Sequence, residues 1–141
     1  MTYLPSKQPP AGAAIYVDGS ASATQFIDGG QTVMTLNVTR TGYWAAAYKY
    51  VMTTINTDDV HTATARLRFN GVDQDTQAVT MGLRTAGNQV GGGGVHVLNP
   101  VLITSGQAIT VFGELAAGET AGNLASQSLR ATFVPTEAYP R

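Results

Sequence analysis

An all-β sandwich is what this sequence predicts, on three observations. Apolar and polar residues alternate with a period of two in several separate stretches, most cleanly where Ala63, Ala65, Leu67 and Phe69 interleave with Thr62, Thr64, Arg66 and Arg68. Turn sequences separate these stretches: Asp18-Gly19-Ser20, Asp28-Gly29-Gly30 and Asn70-Gly71. Apolar residues at helical spacing are nowhere sustained, and Thr, Val and Gly are plentiful where Lys and Glu are scarce.

The chain begins with a segment that resists both helix and sheet. Residues 1–14 carry Pro5, Pro9 and Pro10 around Ser6, Lys7 and Gln8, a composition that favours extended backbone. We read it as an arm, with Tyr3, Leu4, Pro5, Lys7, Pro9 and Pro10 as its candidate contact residues. Residues 15–141 then form one domain, long enough to bury a core without staples.

Ile15 to Val17 is a short apolar run that ends in a turn, and Phe26-Ile27 is another. Val33, Thr35 and Asn37 alternate with Met34, Leu36 and Val38, the second set facing the core. Tyr43 to Ile55 reads as a long strand with Tyr43, Trp44, Tyr48 and Tyr50 crowded into its first half. Three alanines make Trp44 to Met52 the nearest thing to a helix, but Gly42 and the tyrosines favour a strand. His61 to Phe69 is a strand that ends at Asn70-Gly71, a type I′ hairpin signal. Asp73 to Gln77 reads as loop, Val79 to Leu83 as strand, and Ala86 to Gly94 as a glycine-rich loop. From Val95 two long strands follow: Ile109, Val111 and Leu115 alternate with Thr110 and Glu114, and Leu129, Ala131 and Phe133 with Ser128, Arg130 and Thr132. The segment between them, from Ala116 to Gln127, reads as a small-residue loop. Eight or so short strands fit a jelly roll.

Composition narrows the function classes. Charged residues are 12% of the chain, against a typical share of about 25%. A domain this poor in charge is expected to cover part of its surface with copies of itself or with a partner. A net charge of −1 supplies no field to gather nucleic acid or an anionic membrane. With no cysteine there is no disulfide, thiolate metal site or Cys nucleophile. No run has signal-peptide or membrane-spanning character, so synthesis in a cytoplasm without classical export is the expectation.

Side chains with possible chemistry carry little of it in this pattern. His61 and His96 stand in or beside strands without a companion motif. Asp58-Asp59 and Asp73-Gln74-Asp75 lack the spacing of a calcium loop, and Gly91 to Gly94 lacks the Lys-Ser/Thr of a phosphate loop. Asn37-Val38-Thr39 matches a glycosylation sequon, which has meaning only in a secreted chain. No nucleophile elbow, carboxylate pair or metal triad is present, so neither catalysis nor a cofactor is expected. The aromatic group of Tyr43, Trp44, Tyr48 and Tyr50 reads as core or subunit packing ahead of a sugar platform.

The order of signals from Gly42 onward resembles the C1q/TNF-like jelly roll. Gly42-Tyr43-Trp44 opens a long strand, Arg66 to Gly71 ends one in Asn-Gly, and Val101 to Val111 gives strand, glycine turn and strand. Ser128 to Val134 closes the domain, and Gly106-Gln107 stands where the family has Gly-Asp. The resemblance implies a homotrimer packed about a threefold axis, with Tyr43, Trp44, Tyr48, Tyr50, Phe112 and Phe133 as its candidate interface. A stalkless, cysteine-free domain with a Pro-rich arm is most similar, within that class, to the capsid decoration (cement) proteins of tailed phages. That implies a structural virion protein on the outer capsid surface, with the major capsid protein as partner. The competing expectation is a receptor- or glycan-binding knob of a tail fibre or spike, using Asp73 to Gln77 and Ala86 to Gly94 as contact loops.

Overall fold

The computed structural model describes residues 15–54, 61–81, 89–116 and 122–134, and all its regular structure is strand. In chain order these are β1 (Ile15–Asp18), β2 (Ser20–Ala21), β3 (Gln25–Asp28), β4 (Gln31–Asn37) and β5 (Gly42–Thr54). They are followed by β6 (His61–Phe69), β7 (Val72–Met81), β8 (Gln89–Ile103), β9 (Ala108–Leu115) and β10 (Gly122–Val134). The residues assigned to the arm, Tyr3, Leu4, Pro5, Lys7, Pro9 and Pro10, lie outside the described residues.

The strands pair as a nest. Innermost is the hairpin β6–β7, turned at Asn70 (φ +52°) and Gly71 (φ +80°), both in the left-handed region that a type I′ turn needs. Around it lie β5–β8, then β4–β9, then β1–β10, every pair antiparallel. Successive pairs fall in opposite sheets. The front sheet runs β1–β10–β5–β8 and the back sheet β2–β4–β9–β6–β7, joined internally by β10–β5 and β9–β6. A long hairpin rolled so that its layers alternate between two sheets is a jelly roll.

β3 stitches the two sheets at one end. Its Gln25 and Phe26 pair with Asn123 and Gly122 of β10, and its Ile27 and Asp28 run parallel to Glu114 and Leu115 of β9. The opposite flank, between edge strands β7 and β8, is closed by side chains. Gly94 N–H donates to Gln77 Oε1 at 2.6 Å and His96 N–H donates to Asp75 Oδ2 at 2.9 Å, which satisfies two donors on the open edge of β8.

Between the sheets, β5 contributes Trp44, Ala46, Tyr48, Tyr50 and Met52, facing Ala63, Ala65, Leu67 and Phe69 of β6. Ile109, Val111 and Leu115 of β9 and Leu129, Ala131 and Phe133 of β10 complete the layer. Trp44 meets Phe133 edge to face at 5.2 Å between ring centroids, and Phe26 meets Tyr50 at 5.0 Å. The strand expected at Tyr43 to Ile55 is present as far as Thr54, because both of its edges are paired and its alternate residues fill the core.

Three expectations about loops are corrected. Asp73 to Gln77 belongs to β7, because a two-residue turn commits the chain to pairing at once; its polar residues reflect an edge position. Gly91 to Gly94 is strand, paired residue for residue with Lys49 to Met52. A Cβ on Gly93 would stand 2.5 Å from Gln77 Oε1 and 2.9 Å from Val79 Cγ2, so the glycine is what lets β7 lie across β8. Gly122 to Gln127, expected as loop, extends β10. Val33 also departs from the expected alternation: a bulge opposite Thr32 and Met34 turns both Val33 and Met34 inward.

The close approach at Gly93 predicts the behaviour of its alanine variant. Gly93→Ala should cost about 1–3 kcal/mol in denaturant unfolding, as overpacking does. Hydrogen exchange at the Gly94 and His96 amides should quicken with it, and unchanged exchange there would mean that the flank is held closed by something else.

Candidate assembly interface

Of the six residues expected at a subunit seam, the structure brings four into the core of a single chain. Trp44, Tyr48, Tyr50 and Phe133 are between 1% and 6% exposed, leaving almost no surface to give a neighbour. The physical reason is parity: Tyr43 and Trp44 are adjacent on a strand, so they point to opposite faces. Tyr43 lies half-buried on the outer face of the front sheet, and Phe112 half-buried on the outer face of the back sheet. The six therefore form no single surface.

Register shows which residues do share one. On the outer face of the front sheet, Leu102, Tyr43 and Val134 stand side by side across β8, β5 and β10. In the next row are Ala45, Thr132 and Tyr16. Beyond it come His96, Ala47, Arg130 and Asp18. Between Trp44 and Ala46 the partner strand β8 carries Leu98, Asn99 and Pro100 as a bulge, which suits a proline and pushes Leu98 out to 76% exposure. Tyr16 is 60% and Leu102 57% exposed. Two rows of this face are thus uncharged and partly apolar, a patch of the kind that marks an interaction site.

The back sheet presents a different outer face. Arg66 bonds Glu114 at 2.9 Å and lies 3.6 Å from Asp73, which Arg68 also holds at 2.6 Å. The Arg68 guanidinium lies 4.3 Å over the Phe112 ring. With Thr62, Thr64 and Thr110 around them, these groups make a self-satisfied polar surface suited to water. On the front face the ion pair is Asp18 with Arg130, at 2.8 Å, and the hydrogen bond from that guanidinium holds the exposed Asp18 carboxyl below its ordinary range.

A cavity of about 610 Å³ opens where β1 leaves β10 to cross between the sheets. It is lined by Asp18, Gly19, Tyr48, Lys49, Ser128 and Arg130, with Met34 and Leu129 beneath. Tyr48 Oη donates to Gln127 Oε1 at 3.0 Å, and Gln127 Nε2 donates to the Ala23 carbonyl at 2.8 Å. Tyr50 Oη is buried without a hydrogen-bond partner among the described residues. Burial raises the phenol pKa of both tyrosines, with a smaller contribution from Tyr50 to Tyr48. Among the described residues no group of three His, Asp or Glu side chains could hold a metal ion. Asp73 and Asp75 are engaged as described above, and Asp58 and Asp59 lie outside the described residues.

No protein-family profile matches the sequence, and no curated protein matches it. Among solved structures, the chain is similar to an Eiger TNF from S. frugiperda, with a TM-score of 0.46 and 8% identity, over 86% of this chain and 93% of that one. The nesting of the strand pairs, rather than this likeness, is what makes the fold a jelly roll.

The two core tyrosines predict opposite mutational outcomes. Tyr48→Phe should cost about 1 kcal/mol, since it strands the Gln127 acceptor. Tyr50→Phe should be neutral or stabilising, because it removes a buried hydroxyl that satisfies nothing. Denaturant midpoints of the two variants decide this. Because both folded pKa values are raised, the unfolded chain loses these protons first, so stability is intact below about pH 10 and falls as pH rises beyond it. Ultraviolet titration of the six tyrosines should then show two that ionise only as the protein unfolds.

Proposed function

We propose that this protein is a capsid decoration (cement) protein of a tailed phage: a homotrimer that binds the assembled head and stabilises it, without catalysis or a cofactor. The observation that carries the reading is the contrast between the two outer faces. One holds its charges in a network, while the other exposes Tyr16, Leu98 and Leu102 around Tyr43, Ala45 and Val134. In a chain with 12% charged residues, that second face is where copies would meet.

A stable association needs about 1,200–2,000 Å² of buried surface, and a flat sheet face contributes such area without large loops. The Pro-rich arm and the phage-like pattern of the sequence supply the other half of the reading, with the major capsid protein as partner. Many modest contacts repeated by symmetry would give high avidity on a lattice. The competing reading, a receptor- or glycan-binding knob, relied on contact loops at Asp73 to Gln77 and Ala86 to Gly94. Asp73 to Gln77 and Gly91 to Gly94 are strand, which weakens it.

Two measurements test the proposal. Light scattering should give the mass of three chains. Ala47→Glu, on the front face, should dissociate them, whereas Thr32→Glu, on an exposed position of the back sheet, should not. A monomer at every concentration removes the trimer. Deleting residues 1–14 should leave the trimer whole and weaken binding to heads by roughly tenfold or more, as loss of a tethered contact does.

A further inference from the structure

The two poles of the sandwich are unlike. At one pole Ile15 pairs with Phe133, Gly42 with Ile103, and Phe69 with Ile109, so the start of β1 and the end of β10 lie there together. The connections at this pole are tight and tied to one another. Val38 N–H donates to Gln107 O at 2.9 Å, Gly106 N–H to Val38 O at 2.8 Å, Ser105 N–H to Thr41 Oγ1 at 3.0 Å and Asn70 N–H to Ala108 O at 2.8 Å. At the other pole Thr54 pairs with both Gln89 and Gly122, His61 with Met81, and Ala63 with Leu115. Residues 55–60, 82–88 and 117–121 therefore begin and end at that pole.

Apolar exposure follows the same polarity. Leu102 adjoins the Thr104–Gln107 turn, Val72 follows the Asn70-Gly71 turn at 60% exposure, and Tyr16 is one residue in from the start of β1. Leu98 sits one ladder step deeper, and Val51 is the exposed large hydrophobic that belongs to the far half. Around the turns the exposed residues are Thr39, Thr41, Asn70, Thr104 and Ser105, with Arg40 laid 4.5 Å over the Phe133 ring.

We propose that the turn-bearing pole is the face that seats on the protein shell, with the other pole pointing away from it. This orientation rests on the capsid reading. Its occupant is the weakly charged polar and apolar surface of assembled shell subunits, which the uncharged collar of Thr, Ser, Asn, Val and Leu matches. The fourteen residues before Ile15 leave the domain at this pole and reach at most roughly 50 Å, so they stay beside whatever the pole touches. Turns already locked by hydrogen bonds lose little entropy on docking.

The absence of cysteine permits a thiol footprint. Ser105→Cys places a thiol at the turn-bearing pole and Ala116→Cys one at the far pole, both at exposed positions. Each variant is labelled with a polyethylene-glycol maleimide, free and bound to heads stripped of the native protein. The expected result is roughly tenfold slower labelling of the Ser105→Cys thiol on heads, with the Ala116→Cys thiol unchanged. If Ser105→Cys itself weakens binding while Ala116→Cys does not, the same orientation is supported. Protection at Ala116→Cys, or equal rates at both thiols, overturns it. If the unaltered chain fails to bind heads, the capsid reading falls first, a result distinct from a wrong orientation.

Discussion

The register set at the Asn70-Gly71 turn is the constraint on which the rest of this protomer depends. A two-residue turn with both residues at positive φ leaves one way for β6 and β7 to pair, Phe69 against Val72. Because side chains alternate, that pairing decides that Ala63, Ala65, Leu67 and Phe69 face the core and that Arg66 and Arg68 face out. β9 then pairs with the other edge of β6, and the inward residues Ile109, Val111 and Leu115 come into line with it. A slip of one residue would place two arginines between the sheets, at a desolvation cost no other contact in the domain could offset.

The bulges adjust this register rather than break it. Val33 lets β4 bury two successive residues, Leu98 to Pro100 carry a proline through a paired strand, and Gln74 allows β7 to return against Arg68. Each changes which side chains reach the surface, and the largest one produces the most exposed leucine of the front face. The glycine run in β8 belongs with these devices. It gives β7 room to close the flank, so a stretch that looks like a hinge in the sequence is a seat for Gln77 and Val79.

The same alternation sorts the outer surfaces. Charge is concentrated on the back sheet, where Arg66, Arg68, Asp73 and Glu114 satisfy one another, and it thins out on the front sheet toward the pole that holds both ends of the paired chain. Scarcity of charge is thus a property of one face rather than of the whole protein. A scaffold in which one outer face is water-facing and the other is not has the polarity an assembly subunit requires.

The sequence by itself determined the fold class and most strand positions, because a period of two and a type I′ turn are local signals that need no distant partner. His61 to Phe69 and the inward set of β10 were legible to the residue. Tertiary structure decided the rest. Asp73 to Gln77 and Gly91 to Gly94 are strands only because β6 and β5 lie beside them, and edge pairing can recruit polar residues and glycines that have no strand preference of their own. The aromatic cluster was visible, but its division was not: strand parity sends Trp44, Tyr48 and Tyr50 inward and leaves Tyr43 outside. Its neighbours Tyr16, Leu102 and Val134 are far apart in the chain, and cross-strand pairing alone brings them to one surface.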